Sequence, residues 1–175
     1  MIKKILLAVM ALIGLLLLFA LTRPDSFSVE RRITMKAPPD KVFALVNDFH
    51  HWTAWSPWEK LDPGMTRTHS GAANGVGAVY AWKGNDDVGA GRMEITAAQP
   101  PGQVDIKLDF LRPFESSNTT RFTLKPVADG TEFVWTMQGP MPYISKLMGI
   151  FVSMDKMIGP DFEAGLKNLK AVAEK

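Results

Sequence analysis

Residues 27–49, FSVERRITMKAPPDKVFALVNDF, set the order in which the folded part of this chain begins. Apolar side chains at 27, 29, 33 and 35 alternate with polar ones, as they do in a strand with one buried face. Pro38 and Pro39 end this strand, because proline has no N–H to donate within a sheet. Proline near a first turn, followed by VFALV at 42–46, indicates a helix. A strand followed by a short helix therefore opens the domain.

The middle of the chain, from about residue 65 to 138, has the two-residue period of β-strands. In VDIKLDF at 104–110, apolar side chains alternate with charged ones, so the run has one dry face and one wet face. The alternation returns in EFVWTM at 132–137, after the hairpin turn residues Asp129-Gly130. Such runs recur about every 10 to 14 residues. This spacing predicts an antiparallel meander of about six strands.

The end of the chain has the three- and four-residue spacing of an amphipathic helix. Apolar side chains recur in this pattern from Ile144 to Val172, and lysines and acidic residues fill the other face. Gly159-Pro160 in the middle predicts a kink or a division of the helix. A curved sheet wrapped around this long helix is the economical way to bury both apolar faces. The predicted class is α+β, with six or seven strands in all.

Residues 5–21, ILLAVMALIGLLLLFAL, form an apolar run without a charge. At about 1.5 Å per residue the run spans roughly 25 Å, close to the thickness of a bilayer core. A cleaved signal peptide is the alternative, but Ala20-Leu21-Thr22 is a poor cleavage site and Arg23-Pro24 follows it directly. We therefore expect a transmembrane anchor, or a signal-like segment, at residues 1–23 and a single folded domain at residues 24–175.

The charges of the chain bear on orientation and on partners. Lys3 and Lys4 favour a cytoplasmic N-terminus, which would make this a single-pass membrane protein with an extracytoplasmic domain, whereas Arg23, Arg31, Arg32 and Lys36 on the other side of the run favour the opposite orientation. Leaving out Lys3, Lys4 and Arg23 gives 17 basic against 18 acidic residues, so no basic surface for nucleic acid is expected. The chain has no cysteine, which excludes disulfides, cysteine-ligated metals and thiol nucleophiles.

Three segments together resemble a known family. They are ITMKAPPDKVFALVNDF at 33–49, WTAWSPW at 52–58 and the apolar helix at 154–169. With the order of elements, they resemble the START-like (SRPBCC) superfamily and, within it, the polyketide cyclase/dehydrase-like branch, over roughly residues 27–174. The resemblance implies a helix-grip fold, with a deep apolar cavity between the sheet and the C-terminal helix. It also implies hydrophobic ligands such as lipids, sterols or polyketides, and it supplies no catalytic motif.

The candidate ligand-binding residues are aromatic and apolar side chains on the predicted strands, the tryptophan-rich segment and the last helix, with one charged pair. Each apolar one fits a plain core position as well as a cavity wall. Arg92 and Glu94 share a strand face, and either point inward to orient a polar head group or form a solvent-facing pair. The full set is Trp52, Trp55, Trp58, Tyr80, Trp82, Arg92, Glu94, Phe110, Trp135, Met137, Met154 and Ile158.

Catalytic and metal sites find little support in the sequence. The only histidines are His50, His51 and His69, and they lack the spacing of metal ligands. Nucleophile-elbow and phosphate-loop motifs are absent as well. We therefore expect no cofactor, and a membrane-anchored domain that binds a hydrophobic small molecule or lipid. The alternatives are a cyclase or dehydratase-like enzyme using the same cavity, and a non-catalytic envelope interaction module.

Overall fold

An antiparallel sheet of seven strands forms the frame of the molecule. The computed structural model describes all 175 residues. The elements in chain order are α1 (Ile2–Leu21), β1 (Ser26–Met35), α2 (Pro39–Val46), two 3₁₀ helices (Phe49–Ala54 and Pro57–Lys60), β2 (Thr66–Gly71), β3 (Ala78–Lys83), β4 (Ala90–Gln99), β5 (Gln103–Arg112), β6 (Ser116–Val127), β7 (Gly130–Pro140), α3 (Tyr143–Met148) and α4 (Met154–Ala173).

The strand order confirms the predicted meander. The sheet runs β1-β7-β6-β5-β4-β3-β2, so β2 to β7 are neighbours in chain order and β1 joins the free edge of β7. The register pairs Phe122 with Trp135 and Val29 with Met137, which places these side chains on one face. That face is concave and packs on α4 through Phe162, Leu166 and Leu169. This is the helix-grip arrangement of an α+β protein.

The tryptophan-rich segment is tied to α2 and α4 by hydrogen bonds. The indole N–H of Trp52 donates to the carbonyl of Val46 at 3.3 Å, and that of Trp55 donates to Leu45 at 3.2 Å. Asn168 on α4 donates its amide to the Trp55 carbonyl at 3.1 Å. The two 3₁₀ helices are therefore held as an ordered wall across one end of the sheet.

The C-terminal helical region divides six to ten residues earlier than the sequence predicted. The break lies at residues 149–153, between α3 and α4, and α4 runs unbroken through Gly159 and Pro160. Ser153 starts α4 by accepting the N–H of Lys156 with its side chain, a typical helix cap. Pro160 removes one hydrogen bond within the helix, but packing of α4 against β1 and the sheet holds the remaining turns together.

Arg31 on β1 clamps the first half of α4. Its guanidinium donates to Asp155 at 2.7 Å and to Glu163 at 2.9 Å, two turns further along the helix. Gly159 lies between these two acids and leaves room for the guanidinium, because a Cβ there would collide with Arg31. The clamp therefore fixes the part of α4 that makes the fewest core contacts.

α1 is a separate apolar helix before the domain. It is long and apolar enough to cross a membrane, and nearly all of its side chains are exposed. Its last turn packs on α3, where Ala20 is fully buried.

Substitution of Gly165 by leucine is expected to destabilise the fold by about 1–3 kcal/mol, because it overpacks the contact between α4 and the sheet. A Cβ at Gly165 would lie 2.9 Å from the Trp135 ring and 3.2 Å from Pro57. The free energy of unfolding is measured by urea titration of the full chain in mild detergent. Ala164→Leu, at the exposed neighbouring position, is the matched control and should change it by under about 0.5 kcal/mol. Equal effects at both positions would contradict the close contact.

The contribution of the Arg31 clamp is expected to depend on pH. The hydrogen bond from Arg31 holds the pKa of Asp155 below its usual value of 3.8. A lowered pKa in the folded state stabilises the fold above the unfolded-state pKa, and this stabilisation is lost as pH falls through the folded-state pKa. Arg31→Met should therefore lower the urea midpoint at pH 7 and have a smaller effect at about pH 2, well below the usual pKa of 3.8. A difference that is the same at both pH values would refute this account of the clamp.

Candidate ligand-binding cavity

A cavity of about 420 Å³ lies between the concave face of the sheet and α4. This volume is within the range of about 300–1,000 Å³ that is usual for small-molecule sites. Nine of the twelve predicted site residues line it, contributed by the tryptophan-rich segment, the sheet and the first half of α4. They are Trp52, Trp58, Tyr80, Trp82, Phe110, Trp135, Met137, Met154 and Ile158.

A cluster of aromatic rings separates the cavity from the solid core. Trp135 on β7 stacks on Phe162 of α4, with ring centroids 4.2 Å apart and an angle of 14° between the planes. Trp58 meets both rings edge-on, at 5.9 and 6.4 Å. Beyond this cluster α4 is buried against the sheet, whereas before it Met154 and Ile158 are only half-buried and line the cavity.

Three predicted site residues lie outside the cavity. Trp55 is fully buried behind the wall, where it packs edge-on to Phe122 and Trp135. Arg92 and Glu94 form an ion pair at 2.7 Å on the outer face of β4, about one third exposed. The register pairs Tyr80 with Met93, and both of these line the cavity, so their neighbours Arg92 and Glu94 point away from it. The solvent-facing alternative for this pair is the one found.

A buried carboxylate that the sequence did not indicate sits in the cavity wall. Glu59 is 9% exposed, accepts the Tyr80 hydroxyl at 2.6 Å and accepts the Arg67 Nε–H at 2.6 Å. Burial, and then the hydrogen bond to Glu59, raises the pKa of Tyr80 above its usual value of 10.0. Tyr80 therefore stays protonated at neutral pH and acts as a donor to the carboxylate.

Two buried polar atoms in the wall have no hydrogen-bond partner. They are the indole Nε1 of Trp135, a donor, and the side-chain Oδ1 of Asn118, an acceptor. Both residues are at least 95% buried and both line the cavity. Buried polar groups nearly always have a partner, so these two atoms are exceptions in the wall, and each is almost fully covered by neighbouring atoms.

The mouth of the cavity is marked by its exposed lining residues. They come from the β3–β4 loop at 86–89, the β5–β6 loop at 112–116 and the segment that joins β7 to α3 at 140–145. Phe114, in the second of these loops, is 77% exposed. The opening therefore carries charged residues as well as apolar ones; the charged residues are Asp86, Asp87, Arg112 and Glu115.

The histidines lie on the outer side of the tryptophan-rich segment. His50 contacts Asp48 at 2.7 Å and stacks on His69, with ring centroids 4.3 Å apart. Burial lowers the pKa of His69, which favours its neutral form. The structure has no group of three or more side chains arranged to hold a metal ion.

Comparison with known families matches the whole folded domain. The family described as polyketide cyclase / dehydrase and lipid transport matches residues 26–174. The chain belongs to this family. Comparison with curated proteins finds no match.

Solved structures of other proteins share the fold. Protein CV1439 from Chromobacterium violaceum is 16% identical, with a TM-score of 0.59, and the match covers 87% of this chain and 99% of that one. The Aha1 dimer from Colwellia psychrerythraea is 18% identical, with a TM-score of 0.60 and coverage of 85% and 96%. The di-domain ARO/CYC BexL from the BE-7585A biosynthetic pathway is 16% identical, with a TM-score of 0.64 and coverage of 90% and 53%.

The hydrogen bond between Tyr80 and Glu59 in the cavity wall can be tested by removing the Tyr80 hydroxyl. Tyr80→Phe is expected to lower the free energy of unfolding by about 1.5–3 kcal/mol, because it takes a hydrogen bond from a buried charged group. The chain has two tyrosines, so Tyr143→Phe, which removes an exposed hydrogen bond to a neutral backbone carbonyl, is the matched control and should cost under about 1 kcal/mol. If the two variants unfolded at the same urea concentration, Glu59 would not depend on Tyr80 as described.

Proposed function

We propose that this family member binds an amphipathic small molecule or lipid in the cavity, while α1 anchors it in a membrane. One observation carries the proposal: the cavity of about 420 Å³ is mostly apolar, and two residues of its wall, Trp135 and Asn118, each carry a buried polar atom without a partner. A ligand with a long apolar body and a small polar end satisfies both properties.

The size and lining of the cavity favour a ligand over water. Its volume corresponds to roughly 14 water molecules at about 30 Å³ each. Most of those waters would lie against aromatic and apolar walls such as Met93, Leu108 and Phe110, with few hydrogen-bond partners. Burial of apolar ligand surface there is favourable by roughly 25 cal/mol per Å². The apolar body therefore supplies the affinity.

The polar atoms would fix the orientation of the ligand. The Trp135 N–H fits a ligand carbonyl or other acceptor, and the Asn118 oxygen fits a hydroxyl or amide donor. Glu59 already accepts hydrogen bonds from Tyr80 and Arg67 on its two oxygens. We therefore assign recognition to Trp135 and Asn118, and leave Glu59 as a support of the wall.

The membrane anchor is proposed from α1. From Ile5 to Leu21 this helix is apolar on every side and so is poorly solvated by water, and its full 20 residues at about 1.5 Å each match a bilayer core of about 30 Å. Lys3 and Lys4 lie in the first turn of this helix, before its apolar run, so the rule of positive charges inside favours a cytoplasmic N-terminus. The binding domain then lies on the extracytoplasmic side of a single-pass protein.

A cyclase or dehydratase-like enzyme is the second candidate, favoured by the meeting of Glu59, Tyr80 and Arg67 at the wall. The geometry supports binding better, because a general acid or base needs a free proton site. Both oxygens of Glu59 already accept hydrogen bonds, from Arg67 and from Tyr80, and the raised pKa of Tyr80 keeps its phenol from acting as a base near neutral pH. For acid–base catalysis, Glu59 would therefore first have to lose its hydrogen bond with Arg67 or with Tyr80.

Filling the cavity is expected to abolish binding. Met93→Trp puts a larger ring into the cavity and should weaken the binding of a fluorescent fatty acid at least about tenfold, which is about 1.4 kcal/mol. Titration of the full chain in mild detergent, followed by probe fluorescence, measures this. Arg92→Trp, on the outer face of the same strand, is the control and should leave the affinity within about twofold. Equal weakening by both variants, or no uptake by the unmodified chain, would overturn the binding proposal.

A further inference from the structure

An unusually apolar surface lies beside the mouth of the cavity. It belongs to residues 141–152, MPYISKLMGIFV, which contain α3 and its connection to α4 and are called the portal segment below. Ile144, Met148 and Val152 are exposed, and Phe151 is 72% exposed. Its one charged residue, Lys146, is 9% exposed and paired with Asp25. The exposed side chains of the segment therefore carry no charge.

The portal segment packs directly on α1. The Tyr143 hydroxyl donates to the backbone carbonyl of Leu17 at 3.0 Å. Ala20 of α1 is fully buried at the contact of the two helices, and the pair of Lys146 with Asp25 joins the segment to the connection that follows α1. The C-terminal end of α1 and the portal segment are therefore held side by side, at the same height along the axis of α1.

If α1 crosses a membrane, the contact between Tyr143 and Leu17 lies within that membrane. Leu17 is four residues before the end of α1 at Leu21, so its carbonyl lies about 6 Å inside that end of the helix. Because all of α1 is needed to span a core of about 30 Å, its end cannot stand far above the surface. A side chain that contacts Leu17 therefore reaches the boundary of the hydrocarbon. Tyrosine is enriched at this depth.

We propose that the portal segment inserts into the bilayer that holds α1, and that the cavity takes up its ligand there. The segment also lines the cavity, through Met141, Pro142 and Ser145. A ligand leaving the acyl chains would pass these residues into the cavity without crossing bulk water. This inference rests on the proposed function, because it needs α1 in the membrane and a ligand in the cavity.

The absence of cysteine allows a direct measurement of depth. Single-cysteine variants of the full chain carry an environment-sensitive fluorophore in phosphatidylcholine vesicles, with and without brominated acyl chains. Ile144→Cys and Phe151→Cys report on the portal segment, and Leu12→Cys reports on the middle of α1. Val127→Cys, exposed at the far end of β6 from the mouth, is the control. Labels at 144 and 151 should lose at least about half of their fluorescence, and the label at 127 almost none.

The outcomes separate the two proposals. Quenching at Leu12 with the same low quenching at 144, 151 and 127 would overturn insertion of the portal segment and leave the anchor standing. No quenching at Leu12 would overturn the anchor itself. Portal labels that are shielded from aqueous iodide but not quenched by brominated lipid would indicate a protein cover, which also overturns insertion.

A kinetic measurement tests uptake at the same place. Phe151→Glu puts a charge on the inserted surface, so uptake of a fluorescent fatty acid from vesicles should slow at least about fivefold. Its equilibrium affinity in detergent should stay within about twofold, because Phe151 does not line the cavity. Val127→Glu should change neither quantity. An unchanged uptake rate for Phe151→Glu would contradict entry at the portal segment.

Discussion

The contact between Trp135 and Phe162 is the constraint on which the rest of the structure depends. It joins the concave face of the sheet to α4 at a ring separation of 4.2 Å. On one side of it Leu166, Leu169 and Ala173 close the core, with Gly165 allowing the close approach. On the other side Arg31 holds the first half of α4 to the edge strand β1, and the cavity lies between this half of the helix and the strands further along the sheet. One helix thus makes both the core and the binding space.

The features that bear on function share one end of the molecule. The portal segment, the loops at 86–89 and 112–116 and the last turn of α1 lie around or beside the mouth of the cavity. The polar groups that would orient a ligand, Trp135 and Asn118, line the inner walls of the same cavity. This arrangement suits an amphipathic molecule that enters from a membrane, which is the proposal made here for this member of the family.

Much of the fold could be predicted from the sequence, because periodicity reports directly on burial. The alternation in residues 104–110 and 132–137 placed one face of the sheet correctly, and nine of the predicted side chains line the cavity. The break in the last helices was misplaced because Gly159-Pro160 is a stronger local signal than Ser153. In the structure a helix cap and the contacts of α4 with β1 outweigh it.

The polar part of the site could not be predicted, since it depends on contacts between distant segments. Glu59 lies in a 3₁₀ helix without a strand or α-helical period, and its partners are on β2 and β3. Asn118 shares a face of β6 with Phe122 and Leu124, so its direction follows from alternation, but the lack of a partner for its Oδ1 depends on the neighbouring strands. Trp52 and Trp55 are both tryptophans of the same short segment, yet only Trp52 lines the cavity.

Native mass spectrometry of the full chain, extracted from membranes in mild detergent, tests the central claim most directly. The account predicts a population with one additional mass of lipid or small-molecule size per chain, which is released on unfolding. A spectrum of the bare folded chain alone, unchanged after incubation with total membrane lipid extract, would contradict it.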